Sequence, residues 1–269
     1  MLFVSEAAAK ALVLVCHQNN EGISLYKRGM FAEAVLRLKE GMLASKTCLE
    51  QCLEEVENTA VVKIFMSLPV LPSQAVQSPE IRFFIDSSVY SKAFEIEMNL
   101  LGRCESSFQQ PMIQEEGGLS LFLSRFNSFL IFNFALAHHA LAMSSRGKND
   151  KVSQNNLYSK ARKLYSLAYK SLQREHGQKV IDPFFMLHLL VQAILNNLGQ
   201  CYMSLDEREN SLACFKLLLQ SIILFQQDRS RTCNFGSPDS GNFDDQHIDF
   251  FLQNTLFLVL KDPGFAPAA

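Results

Sequence analysis

Apolar residues recur every three or four positions through most of this chain, and the pattern divides it into helical pairs separated by polar or proline-rich stretches. Over 7–57, Leu12, Val15, Gly22 and Leu25 mark one helix. Phe31, Ala34, Leu38, Met42, Leu49, Leu53 and Val56 mark a second, with Gly29 as the joint of an antiparallel pair. The periodicity stops over 58–118, where Pro69, Pro72, Pro79 and Pro111 and the pair Gly117 and Gly118 interrupt it. Within that stretch IRFFIDSSVYSKAFEIE is rich in β-formers, which predicts a short hairpin or an extended excursion. Helical spacing returns over 119–143 and 156–175, on either side of the polar run SSRGKNDKVSQNN, which reads as a solvated loop. A third pair starts after Asp182 and Pro183, a dipeptide suited to a helix's first turn. Leu187, Leu190, Val191, Ile194, Leu195 and Leu198 mark its first helix, and 207–226 forms the partner. After the Asp-, Ser-, Asn- and Gly-rich stretch 228–243, Ile248, Phe251, Leu252, Leu256 and Val259 place an apolar stripe on a last helix ended by Pro263. A single helix after three pairs predicts a cap over the final pair.

The expected fold is therefore all-α and a single domain. Its parts are a first pair at about 7–57, a partly extended insertion at about 58–118, a second pair at about 119–175, a third at about 183–226 and a capping helix at about 244–261. The three pairs carry one sparse pattern. Each first helix has Asn, one residue, then a small residue: Asn20 and Gly22, Asn133 and Ala135, Asn197 and Gly199. Each second helix has a small residue followed four places later by a larger apolar one: Ala34 and Leu38, Ala161 and Tyr165, Ser211 and Phe215. Helix axes about 8–10 Å apart explain the demand for small residues at a crossing. Glycine inside a helix costs roughly 1 kcal/mol relative to alanine, so its return at one register points to packing. Gly22, Ala135 and Gly199 are expected to leave room for the partner helix, and Ala34, Ala161 and Ser211 to supply the matching hollow. Leu38, Tyr165 and Phe215 are expected to fill the space between one pair and the next.

The pattern resembles the tetratricopeptide repeat, in which Leu-Gly, a Tyr three residues on and an Ala about twelve residues after the Gly recur. Asn197, Leu198 and Gly199 with Tyr202 carry the resemblance, as do Gly22, Gly29, Glu33 and Ala34. The spacing from Gly22 to Ala34 and from Gly199 to Ser211 is 12 residues, whereas Ala135 to Ala161 is 26. The second copy thus departs by an insertion in its turn. Intervals of 113 and 64 residues between the asparagines also exceed those of a regular array, so the expected solenoid is irregular. With ALAHHALA and the tail LFLVLKDPGFAPAA, the arrangement is similar to a group of tetratricopeptide-like proteins of diatoms.

What the resemblance implies is a concave groove, lined by first helices, that holds a peptide or protein partner. The groove residues carried over are Asn19, Ile23, Tyr26 and Lys27; Phe129, Phe132, Leu136 and His139; and Ala193, Asn196, Gln200 and Met203. Their spacing of three or four places each set on one helix face. In the competing reading a capping segment covers this face and the apolar members, Phe129, Phe132 and Leu136 above all, are ordinary core. Asn20, Asn133 and Asn197 are expected to form helix-to-helix hydrogen bonds. Of the first-helix positions, only Lys27 is basic, so the carboxylate clamp of chaperone-tail binders is not expected.

Candidate chemistry is sparse. His138 and His139 are adjacent on a helix, so their side chains diverge by about 100° and do not chelate one ion together; His138 takes the slot of Leu25 and Tyr202 and reads as core. Cys48 and Cys52 lie four apart and could supply half a metal site, but no second pair completes it, and buried apolar thiols are the simpler account. No Gly-rich phosphate loop, nucleophile elbow or HExxH motif occurs. No cofactor, metal or catalytic residue is therefore expected.

Composition sharpens this picture only slightly. A net charge of −2 offers no polyanion-binding field, which argues against the RNA-binding helical repeats that form the main alternative. An enzyme with 58–118 as its lid ranks below both. Seven cysteines without a ladder of spacings suit a reducing cytoplasmic or nuclear setting. The N-terminal MLFVSEAAAKALVLVC has no basic region before its apolar residues, so no secretory signal is expected. The apolar stretches 119–143 and 183–198 carry Arg125, Asn127 and histidines and do not read as membrane spans.

Overall fold

A computed structural model describes residues 2–52, 59–67, 89–103, 118–146, 150–175, 185–232 and 247–255. These residues are mostly helical, as the periodicity predicts. Strand β1 (Leu2–Ser5) runs into α1 (Glu6–Lys27), followed by α2 (Phe31–Cys52) and strands β2 (Thr59–Ser67) and β3 (Glu95–Arg103). Helices α3 (Gly118–Ser144), α4 (Lys151–Glu175), α5 (Phe185–Ser204) and α6 (Arg208–Thr232) come next, and α7 spans 247–255. The sequence expectations for 53–58, 68–88, 104–117, 147–149, 176–184, 233–246 and 256–269 fall outside the described residues, while 228–232, expected as the start of a loop, continue α6.

Among the helices, packing is densest within α1 and α2, α3 and α4, and α5 and α6; α2 then meets α3, and α4 meets α5. The repeated small residues mark where the members of a pair touch. A Cβ on Gly22 would lie 2.6 Å from Leu38 Cγ, and one on Gly199 would lie 2.7 Å from Phe215 Cζ. Leu38 and Phe215 therefore stand on the glycine of their own pair, which corrects the expectation that they fill the space between pairs. In the middle pair the Tyr165 ring packs on Phe132 and His139, one turn to either side of Ala135. Ser211 adds a bond across the last crossing, its Oγ donating to Gly199 O at 2.9 Å.

The first and third pairs turn in the same way. Gly29 and Asp206 both have left-handed backbone, with φ of 78° and 62°. Met30 N donates to Leu25 O at 3.0 Å and Glu207 N to Tyr202 O at 2.9 Å, the bond that closes a helix C-terminus over a left-handed residue. The middle pair differs because residues 151–156 of its polar run are helical, which corrects the expected loop there. Helix α4 begins at Lys151, with Asp150 Oδ1 accepting the Ser153 amide at 2.9 Å as an N-cap. The hydrogen bonds from Ser153 also hold the exposed Asp150 carboxyl below its ordinary range. Gln154 Nε2 donates to Ala142 O at 3.1 Å, tying the extension to α3. Most of the inserted residues lengthen the two helices by about one and about two turns, so the inward faces keep their register.

Among the described residues the strands form a three-stranded antiparallel sheet in the order β1, β2, β3. Leu2 pairs with Val62 and Ile64 with Met98, with a register shift between Ala60 and Val62. Since β1 leads directly into α1 and β3 also contacts that helix, the sheet is fixed beside the first pair. Within α3, Leu123–Ser144 is long and apolar enough to cross a membrane, and 83% of its most apolar window is buried inside the protein.

Candidate functional site

Three asparagines at one register of α1, α3 and α5 point at a single extended segment of the same chain, residues 89–96. Asn197 Oδ1 accepts the Tyr90 amide at 2.8 Å, and its Nδ2 donates to the Tyr90 carbonyl at 2.9 Å. Asn133 treats Phe94 identically, accepting its amide at 2.9 Å and donating to its carbonyl at 2.8 Å. Asn20 does the same for Ile96, at 3.0 Å and 2.7 Å. A carboxamide presents one acceptor and a donor side by side, so each asparagine pairs with both halves of one residue's backbone, as a neighbouring strand would. The segment thus runs from α5 past α3 to α1, where its last two residues, Glu95 and Ile96, begin β3.

Further asparagines hold the ladder in place. Asn19 Nδ2 donates to Asn20 Oδ1 at 3.1 Å, and Asn196 Nδ2 donates to Asn197 Oδ1 at 3.1 Å. Position 132 carries Phe in place of Asn, and there Asn133 Nδ2 also reaches Asn19 Oδ1 on the neighbouring helix at 2.9 Å. Asn197 Nδ2 reaches Tyr165 Oη at 3.2 Å. The expected helix-to-helix bonds therefore exist as secondary contacts for Asn133 and Asn197. The main partners of Asn20, Asn133 and Asn197 are backbone groups of 89–96, which corrects the earlier assignment.

Side chains of the segment fill apolar seats. Phe94 is fully buried, its ring centroid 5.0 Å from that of Phe129 and 5.3 Å from that of Phe132. Tyr90 lies under α7, with ring centroids of Phe251 at 5.2 Å and Phe250 at 5.9 Å, and its hydroxyl is 3.4 Å from His247 Nδ1. Ala93 and Ile96 are buried too, whereas Ser91, Lys92 and Glu95 are only half-buried. Tyr26 Oη donates to Ser91 O at 3.1 Å, and Lys27 pairs with Glu95. Burial, with Lys27 nearby, lowers the Lys92 pKa. Burial, with Lys92 nearby, pushes the His247 pKa down to about 4. Asn254 Nδ2 donates to Asn196 Oδ1 at 3.2 Å. Helix α7, expected as a cap over the final pair, thus closes over Tyr90 at the α5 end of the groove.

The predicted groove residues are placed as follows. Asn19, Tyr26, Lys27, Phe129, Phe132 and Asn196 surround the segment through the contacts above. Ile23, Leu136, His139, Ala193 and Gln200 are buried. His139 Nδ1 faces Cys201 Sγ at 3.6 Å and its ring packs on Tyr158, and Gln200 Nε2 has no hydrogen-bond partner among the described residues. Met203 is 43% exposed. The face is therefore covered, by 89–96 and α7 together. His138 packs on Phe134 at 4.8 Å, and burial, with Lys160 adding repulsion, pushes its pKa down to about 4. The side chains of Cys48 and Cys52 lie outside the description, and no group of three His, Cys, Asp or Glu among the described residues could hold a metal ion. No family model, curated protein or solved structure matches the chain.

Proposed function

We propose that this chain is a non-catalytic, tetratricopeptide-like scaffold, an irregular α-solenoid of three helix pairs that binds a peptide or protein partner in the cytoplasm or nucleus. One observation carries the reading. Equivalent asparagines of three successive first helices pair with the backbone of an extended segment, which is the chemistry by which a helical groove holds a peptide irrespective of its side chains. The shared turns at Gly29 and Asp206 and the shared glycine crossings at Gly22 and Gly199 support the repeat. The RNA-binding alternative gains little from a groove walled by asparagine and aromatic side chains, whose Lys27 is engaged by Glu95.

The test is reconstitution. The full chain captures a protein from native lysate, that protein is purified separately, and the two are mixed and sedimented. A binary complex of defined stoichiometry supports the scaffold reading, whereas failure of every captured protein to re-form one overturns it.

A further inference from the structure

We infer that the groove is an intrasteric peptide site: its ligand class is an extended strand bearing an aromatic residue, a Phe four positions on and an aliphatic residue two further, and residues 89–96 occupy it until a partner strand of that chemistry displaces them. The inference deepens the scaffold reading and rests on it.

The segment meets the groove as a ligand meets a site. Its six ladder bonds engage main-chain atoms alone, so they place no demand on side-chain identity. Selectivity falls to the seats that take Tyr90, Phe94 and Ile96. The Phe94 seat is made by the Phe129 and Phe132 rings, and the Tyr90 seat adds His247 to receive a hydroxyl. Positions 91, 92 and 95 are half-buried and tolerate substitution, with a carboxylate favoured opposite Lys27.

Separability follows from how the helices meet. Contacts of α1 with α2, α2 with α3, α3 with α4, α4 with α5 and α5 with α6 are direct. The helical framework is therefore continuous without the segment. Displacement costs the six bonds and three seats, the Asn19 and Tyr26 bonds to the Phe94 and Ser91 carbonyls, the Lys27–Glu95 pair and the pairing of Glu95 and Ile96 with β2, which an incoming strand of the same pattern restores in kind. Helping the internal strand is its tether through β3, which raises its effective concentration to the millimolar range or so. A free peptide consequently competes poorly with an intact segment and well with a weakened one.

The probe is a fluorescein-labelled peptide of residues 88–97, SVYSKAFEIE, titrated by fluorescence polarisation into full-length wild type, a Tyr90→Ala/Phe94→Ala chain and an Ile96→Ala chain. The weakened chains are expected to bind it at least about tenfold more tightly than wild type. Adding Asn133→Ala to the Tyr90→Ala/Phe94→Ala chain should cost about tenfold or more, and a probe with both aromatic residues changed to alanine should not bind. If the doubly substituted chain does not fold alone, recovery of its helical circular dichroism on adding peptide is the expected result. Affinities equal within about twofold across all chains, or neither binding nor recovered helicity in any weakened chain, overturn the inference. A chain that forms a stoichiometric protein complex yet ignores the peptide loses this inference and keeps the scaffold reading. One that takes the peptide but forms no protein complex loses the scaffold reading, and the partner strand with it, and keeps only the groove's peptide chemistry.

Discussion

Asn133 and Phe94 are joined by two hydrogen bonds, the Phe94 amide to Asn133 Oδ1 at 2.9 Å and Asn133 Nδ2 to the Phe94 carbonyl at 2.8 Å, 39 residues apart in the chain. Both are buried, so truncating the carboxamide strands the Phe94 amide and the Asn19 Oδ1 that accepts from Asn133, while the Phe94 carbonyl keeps only the longer bond from Asn19 Nδ2 at 3.3 Å. Asn133→Ala should destabilise the protein by about 3 kcal/mol, since each stranded group costs roughly 1–3 kcal/mol. Asn20→Ala should cost less, about 1–2 kcal/mol, because its bonds to Ile96 are only partly buried. Urea unfolding of the two variants against wild type checks both the size and the order.

The glycine crossings make a second prediction. Gly199→Ala places a methyl group 2.7 Å from the buried Phe215 ring, and the strain should outweigh the helix-propensity gain of about 1 kcal/mol, for a net loss of roughly 1–2 kcal/mol. Phe215→Leu in the same chain shrinks the obstructing group. A thermal melt should show the pair of changes costing less than the sum of the two alone.

At the turns, backbone conformation is separable from space. A Cβ at Gly29 meets nothing within 4 Å, yet φ is +78°, so Gly29→Ala should cost about 1 kcal/mol through the left-handed conformation alone. Asp206 already bears that strain at φ 62°. Asp206→Gly should therefore raise stability by a few tenths to about 1 kcal/mol, and equal losses at the two sites would show that their turns are not equivalent.

Protonation of two histidines contributes to the acid limb of stability. Burial holds His138 and His247 at about 4 in the folded protein, below the ordinary 6.5. Between those values the unfolded chain binds protons that the folded chain refuses. Their contribution is thus complete above pH 6.5 and is lost as pH falls towards 4, by on the order of 1–2 kcal/mol for each residue. Unfolding curves from pH 7 to 4.5 should show a slope that His138→Phe reduces; an unchanged slope would remove His138 from this account.

Much of this arrangement is legible in the sequence, and the part that is not has a physical cause. Helices α1 to α6 follow from apolar spacing, and Gly22 and Gly199 announce a close crossing because glycine is costly in a helix. The run at 151–156 reads as loop because a solvent-facing helix extension carries no apolar stripe to reveal it, although Asp150 ahead of it is a good N-cap residue. Strand β1 lacks a clear signal for a related reason, since its apolar run continues into that of α1. The ladder stays hidden because Asn20, Asn133 and Asn197 bond to residues 76, 39 and 107 positions away. Two clues are present nonetheless: an asparagine kept at one register three times, and the apolar β-forming stretch that holds Tyr90, Phe94 and Ile96.

The central claim is that three asparagines hold the main chain of 89–96, and amide hydrogen exchange by NMR tests it residue by residue. The Tyr90, Phe94 and Ile96 amides donate to asparagine Oδ1 atoms and should exchange at least about a hundredfold more slowly than in the free peptide. Asn133→Ala should release Phe94 first while Tyr90, two contacts away, keeps most of its protection. Rapid exchange at all three amides in the wild-type protein, with α3 and α5 still protected, would contradict the account.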